Sequence, residues 1–122
     1  MSGHILLVED DTDIQQFLKE LLIDNGYVVD TASNGHAALE KFKNSTPDII
    51  IMDLGLPIMS GEESVKKIKK INKNIPIIIL SARDSMSAIS KGINLGADEY
   101  ISKPFVAEEL LEKIKNKISK TY

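Results

Sequence analysis

Along this 122-residue chain, several short apolar runs end on a group able to do chemistry: Glu9, Asp10 and Asp11 after "HILLV", Ser33 after "YVVDTA", Asp53 closing "DIIIMD", Ser81 after "IPIIIL" and Lys103 after "EYIS". Carboxylates crowded in one place repel each other and take up protons unless a cation neutralises them. Carboxylate oxygens together with a backbone carbonyl suit Mg²⁺, which keeps some of its waters and commonly holds phosphate oxygens in the rest of its octahedron. If Asp53 is also a nucleophile, it can attack a phosphoryl group whose charge the metal and the Lys103 ammonium offset. The Ser81 hydroxyl would hydrogen-bond a phosphoryl oxygen.

That chemistry requires the groups to meet, and the alternation of elements supplies the means. The apolar runs at 4–8, 27–32, 48–53, 75–80 and 99–102 are rich in Ile and Val and predict strands, with the three most apolar at the sheet centre. Between them lies helical spacing, clearest where Ile14, Phe17, Leu18, Leu21 and Leu22 fall on one face that packs on the sheet, before Asn25-Gly26 ends the helix. Weaker stripes follow: Ala38, Leu39 and Phe42 after the Asn34-Gly35 turn, then Val65 and Ile68, then Met86, Ile89 and Ile93, and finally Leu110, Leu111, Ile114 and Ile118. Strand and helix alternating this regularly predict an α/β fold, a parallel sheet with right-handed crossovers and helices on both faces. Every strand's C-terminal end then points to one edge, where open α/β folds bind ligands.

Composition narrows the classes. The length fits one domain, 1–122, with a core that needs no disulfide or metal staple. A net charge of -3, spread over interspersed Lys and Glu, gives no basic surface for nucleic acid. No apolar run approaches a membrane span, and "MSGHILLVED" reaches acid too soon for a signal peptide, so the expectation is a cytoplasmic protein. Without cysteine there is neither disulfide nor thiol catalysis, and His4 and His36 alone make no zinc cluster.

The segments "ILLVEDD", "IIIMDLGLPIMSG", "IILSAR" and "GADEYISKPF", in this order and spacing, closely resemble the receiver domain of two-component response regulators, chemotaxis regulators among them. The resemblance covers essentially the whole chain. It implies a flavodoxin-like doubly wound (βα)5 fold with a five-stranded parallel sheet in the order 2-1-3-4-5. It also implies that Asp53 is the phosphoacceptor, that Asp10 binds Mg²⁺ directly (with Mn²⁺ as a substitute), that Glu9 acts partly through water, and that the carbonyl of Gly55 is a further ligand. Ser81 then matches the switch hydroxyl, Tyr100 the switch aromatic and Lys103 the phosphate-pairing lysine, while Lys103-Pro104 resembles the family's cis peptide. The implied partners are a sensor histidine kinase or a histidine phosphotransfer protein upstream, and an effector protein or a C-terminal output domain downstream. The chain would be a switch rather than an enzyme, catalysing only its own phosphorylation and dephosphorylation.

Two departures add expectations. Gly55, two positions after Asp53, leaves the phosphoryl face open, with Arg83 as the main side chain left to tune dephosphorylation. The fourth helical segment, "DSMSAISKGINLG", is poor in strong helix formers and is expected to be the softest helix and the bistable element, so that it forms the output face with strand 5 and the last helix. Lys91, Asp98, Glu99 and Lys113 are candidates there for ion pairs across a phosphorylation-dependent homodimer.

Other readings compete at single positions. Asp11 and Thr12 are natural N-caps for the first helix, and capping is the better reading of Asp11. Asp11-Thr12-Asp13 also resembles the Asp-x-Asp start of haloacid-dehalogenase-like phosphatases, with Asp11 as nucleophile and Asp13 as acid, though Gln15 stands where Thr or Val is expected. A phosphorylation-independent interaction module is a third class, disfavoured by the intact acids, hydroxyl and lysine. Flavin binding fits worse, because the turn after strand 1 is acidic. Lys113, Lys115, Lys117 and Lys120 read as solvated charges at the last helix's negative end, and His4, Asp24, Asp30, His36 and Asp48 as ordinary surface, turn or edge residues.

Overall fold

A computed structural model describes residues 3–53, 61–81, 94 and 96–121. Five strands alternate with helices: β1 His4–Val8, α1 Thr12–Asp24, β2 Val28–Ala32, α2 Gly35–Ser45, β3 Ile49–Asp53, α3 Gly61–Ile71, β4 Ile77–Ser81, β5 Glu99–Ser102 and α4 Ala107–Thr121. All strand pairs are parallel, in the order β2-β1-β3-β4-β5. The three most apolar strands take the centre as expected: β3 and β4 are buried almost throughout, whereas β2 is an edge strand with Val28 exposed. Of the fourth helical stripe, Met86, Ile89 and Ile93 lie outside the described residues, as do Gly55, Arg83 and Lys91.

Because side chains alternate across a strand, each central strand feeds two cores. Leu6, Val8, Ile50, Met52, Ile77 and Ile79 face α2 and α3, where Ala38, Phe42, Val65 and Ile68 pack on them. Ile5, Leu7, Ile49, Ile51, Ile78, Leu80 and Ile101 face α1 and α4, meeting Leu18, Leu22, Leu110, Ile114 and Ile118. At roughly 1.5–3 kcal/mol for each large side chain removed from water, these two layers dominate the fold's stability.

The helix ends follow local chemistry. Asp11 Oδ1 accepts from the backbone N–H groups of Asp13 and Ile14 at 2.9 and 3.0 Å, making Asp11 the N-cap of α1. Asn34 caps α2 through Ala37 N–H at 2.8 Å, so Gly35 already belongs to the helix. Gly26, at φ +93°, follows the Asn25 C-cap and turns the chain into β2.

Phe17 departs from the expected sheet-facing stripe, being 57% exposed. The buried centre of α1 is set by Leu18 and Leu22, and Phe17 lies about 100° from the first and 140° from the second around the helix. It packs outward instead, lining an apolar groove of about 500 Å³ with Ile14, Lys103, Pro104, Phe105 and Ala107.

Candidate functional site

Strand alternation also sorts the strand-end groups. Glu9 continues the Ile5, Leu7 side of β1, Asp53 the Ile49, Ile51 side of β3, and Lys103 the Ile101 side of β5, so all three emerge towards α1 and α4. Ser81 continues the Ile77, Ile79 side and Tyr100 packs partly buried against that same layer, towards α2 and α3. The two groups of residues therefore approach the C-terminal edge from opposite faces of the sheet.

On the α1 side the charges converge. Glu9, Asp10 and Asp53 each offer a carboxylate oxygen, and these oxygens lie within 4.8 Å of one another. Lys103 Nζ donates to Glu9 Oε1 at 2.8 Å and stands 3.8 Å from Asp53 Oδ2. The Lys103-Pro104 peptide is cis, and the Lys103 backbone N–H donates to the Ser81 carbonyl at 2.7 Å, tying the ends of β4 and β5 together. Ser81 itself is buried.

Solvent access is graded across the acids. Glu9 is 2% exposed, Asp53 is half-buried and Asp10 is exposed. Burial pushes the Glu9 carboxyl above its ordinary range and the Asp53 charge pushes the same way, while the Lys103 hydrogen bond and charge and the Asp11 N–H pull it back without cancelling the rise. One lysine is thus shared between two carboxylates, with a third beside them.

This donor set fits a hard divalent cation. It is all oxygen, with one side open to water, as Mg²⁺ prefers. Ligands on an Mg²⁺ octahedron stand roughly 4.2 Å apart at opposite corners and about 3.0 Å apart at adjacent ones, so the three oxygens would meet one ion through side-chain closure or with a water standing in for a contact. A larger cleft of about 600 Å³, lined by Asn25, Tyr27, Leu111, Glu112, Lys115 and Asn116, contains none of these acids.

Some expectations meet a different arrangement. Glu99 and Lys113 pair within the chain at 3.0 Å, Lys117 approaches the same carboxylate at 3.5 Å, and Asp98 faces Lys69 at 3.5 Å. Two of the lysines read as solvated are therefore engaged. His4 Nε2 meets Asp30 Oδ2 in the middle of β2 at 2.8 Å, and the His4 backbone N–H donates to Asp48 just before β3, so His4 ties β1 to both neighbouring strands. Gln15, noticed in the sequence only as a mismatch, reaches back to the carbonyl of Glu9 at 2.8 Å.

A five-stranded parallel sheet in this order, with a carboxylate cluster and a lysine at its C-terminal edge, defines a flavodoxin-like receiver fold. The family model for the response regulator receiver domain matches residues 5–115, and the chain belongs to that family. Among solved structures it is similar to the receiver domain of a Francisella response regulator, at TM-score 0.94 and 33% identity, covering 98% of this chain and 99% of that one. A CheY-like receiver domain protein from Methanospirillum hungatei JF-1 superposes at TM-score 0.92 with 34% identity, covering 98% and 96% of the two chains. The response regulator MprA of Mycobacterium ulcerans is 37% identical over 121 residues, which is 99% of this chain and 52% of that protein. The chain thus spans about half the length of the curated relatives it matches.

Proposed function

We propose that this receiver domain is a phosphorylation switch in which Asp53 accepts a phosphoryl group from a phosphohistidine on a sensor kinase or phosphotransfer protein, with Mg²⁺ held by Asp10, Asp53 and, partly through water, Glu9. The observation that carries this reading is the meeting of three carboxylates and Lys103 at one strand edge. When bound between Asp10 and Asp53, such a cation would supply positive charge that offsets the repulsion between the acceptor and the incoming phosphoryl group. Asp53 Oδ supplies the electron pair, the P–N bond to the donor histidine breaks, and an acyl phosphate forms. Lys103, already 3.8 Å from Asp53, is within a side-chain movement of the new phosphoryl oxygens.

Ser81 is the hydroxyl that follows the phosphoryl group, and Tyr100, on the same sheet face, is the aromatic that senses its movement. Their shift is transmitted to segment 84–96 and β5, altering an output face read by an effector protein or a further domain. Gly55 supplies a carbonyl ligand and, with Arg83, tunes hydrolysis of the acyl phosphate. The apolar groove beside Lys103 gives a donor protein a landing surface next to the acceptor. Asp11, engaged as the α1 N-cap, is poorly placed to be a phosphatase nucleophile.

Intact mass after incubation with acetyl phosphate tests the reading. The expected result is one Mg²⁺-dependent phosphoryl adduct on the wild type and none on Asp53→Asn. An adduct retained by Asp53→Asn and lost with Asp11→Asn would transfer the role to Asp11; no adduct on either protein would leave an interaction module that signals without phosphate.

A further inference from the structure

The carbonyl of Glu9 belongs to the peptide unit that joins two of the three clustered acids. That unit is planar, so its orientation sets where the Asp10 Cα, and with it the Asp10 carboxylate, leaves the chain relative to Glu9. It sits just past the end of β1, where the Glu9 N–H still donates to the Ala32 carbonyl at 3.0 Å but, among the described residues, the β1–β2 and β1–β3 registers end at Val8.

Gln15, half-buried in the second turn of α1, occupies that carbonyl. Its Nε2 donates to Glu9 O at 2.8 Å and also lies 3.3 Å from Ala32 O and 3.4 Å from Ser33 Oγ. Two of these partners are carbonyls that can only accept, so the amide nitrogen, and not its oxygen, must point to them. The side chain is anchored at its base, because α1 is fixed by the Asp11 cap and the Gln15 N–H donates to Asp11 O at 2.9 Å. A single amide therefore braces the Glu9-Asp10 peptide between helix α1 and the end of β2.

We infer that Gln15 is a positioning residue for the cation site: it fixes the Glu9-Asp10 peptide plane so that the two carboxylates enter the cluster with Asp53 already aligned. This rests on the Mg²⁺ reading above and adds to it a residue that touches neither metal nor phosphate. Groups that orient metal ligands typically change affinity by about 10- to 100-fold when removed. The loss should therefore appear in cation binding and not in the fold.

Calorimetric titration of Mg²⁺ into the wild type, Gln15→Met and Gln15→Arg tests it. Methionine keeps the length and lacks the donor; arginine restores donors to both carbonyls. The expected result is about tenfold weaker Mg²⁺ binding in Gln15→Met, an unchanged metal-free melting temperature, and affinity regained in Gln15→Arg. In acetyl phosphate reactions, Gln15→Met should need more Mg²⁺ for half-maximal phosphorylation but reach the wild-type plateau. Should Gln15→Met fail to fold, Gln15→Asn, too short to reach Glu9 O, carries the same expectation. Affinity within twofold of wild type in the variant without the donor, or no recovery in Gln15→Arg, overturns the role of Gln15 and leaves the Mg²⁺ site standing. A wild type that binds no Mg²⁺ overturns both.

Discussion

Two glutamates in this molecule each receive a lysine hydrogen bond, Glu9 from Lys103 at 2.8 Å and Glu99 from Lys113 at 3.0 Å, yet their acidities move in opposite directions. Glu9 is buried, faces Asp53, and shares Lys103 with that aspartate, so its carboxyl is held above the ordinary range. Burial also acts to raise Glu99, but the hydrogen bonds and charges of Lys113 and Lys117 outweigh it, and Glu99 is held below the ordinary range. Lys113 is raised in turn, chiefly by its hydrogen bond to Glu99. The pair at β5 and α4 is electrostatically complete. Among the described residues, the cluster at the ends of β1, β3 and β5 sets three carboxylates around Lys103, a donor set compatible with a bound cation.

The sharpest way to widen that contrast is to remove a ligand from the incomplete side. Asp10→Asn should weaken Mg²⁺ binding by more than about 100-fold, beyond what loss of an orienting group typically costs. Because Asp10 is exposed and sits among like charges, the metal-free melting temperature should not fall. A melting temperature that drops while Mg²⁺ affinity holds would make Asp10 a structural residue.

A smaller effect is expected from pH. A carboxyl raised in the folded state binds its proton more tightly than in the unfolded chain, so its contribution to stability is full below the ordinary value of 4.5 and is lost as pH rises through the folded-state value. Without metal, the wild type should lose stability over that rise relative to Glu9→Gln, and Mg²⁺ should restore it to the wild type only. Parallel melting curves for the two proteins from pH 4 to pH 8 would remove Glu9 from the account.

Glu99→Gln should act with the opposite sign and least strongly. Its lowered acidity contributes stability above the ordinary value of 4.5, lost as pH falls through the lower folded-state value. With Glu99 about a third exposed, the cost near neutral pH should stay below about 1 kcal/mol and shrink with added salt. Denaturant melts at low and high ionic strength would show this, and a loss unaffected by salt would mean packing, not charge.

The fold was legible because each central strand is a run of β-branched and aliphatic residues with a reactive group at its end, and parallel strands must bring those ends to one edge. Residue type at the strand ends picked out Glu9, Asp10, Asp11, Ser33, Asp53, Ser81 and Lys103, and the fold brings Glu9, Asp10, Asp53 and Lys103 of that set together. What the sequence concealed depended on angles and reach. Phe17 satisfies a helical stripe on paper, but its outward turn is decided by where Leu18 and Leu22 meet the sheet. Lys113 and Lys117 carry the spacing of an exposed face, and only the placement of α4 beside β5 brings both to Glu99. Gln15 had no signal beyond its position in the second turn after an N-cap, since any of several polar residues there would read as surface. His4 and Asp30 sit in different strands and meet because β1 and β2 pair in register from His4 and Val28 onward.

The most direct test of the central claim is a calorimetric titration of the wild-type chain with Mg²⁺ at neutral pH, repeated at lower pH. The account predicts one ion bound per chain, with an affinity that weakens as pH falls and the raised Glu9 carboxyl takes up its proton. No binding at millimolar Mg²⁺ would contradict it.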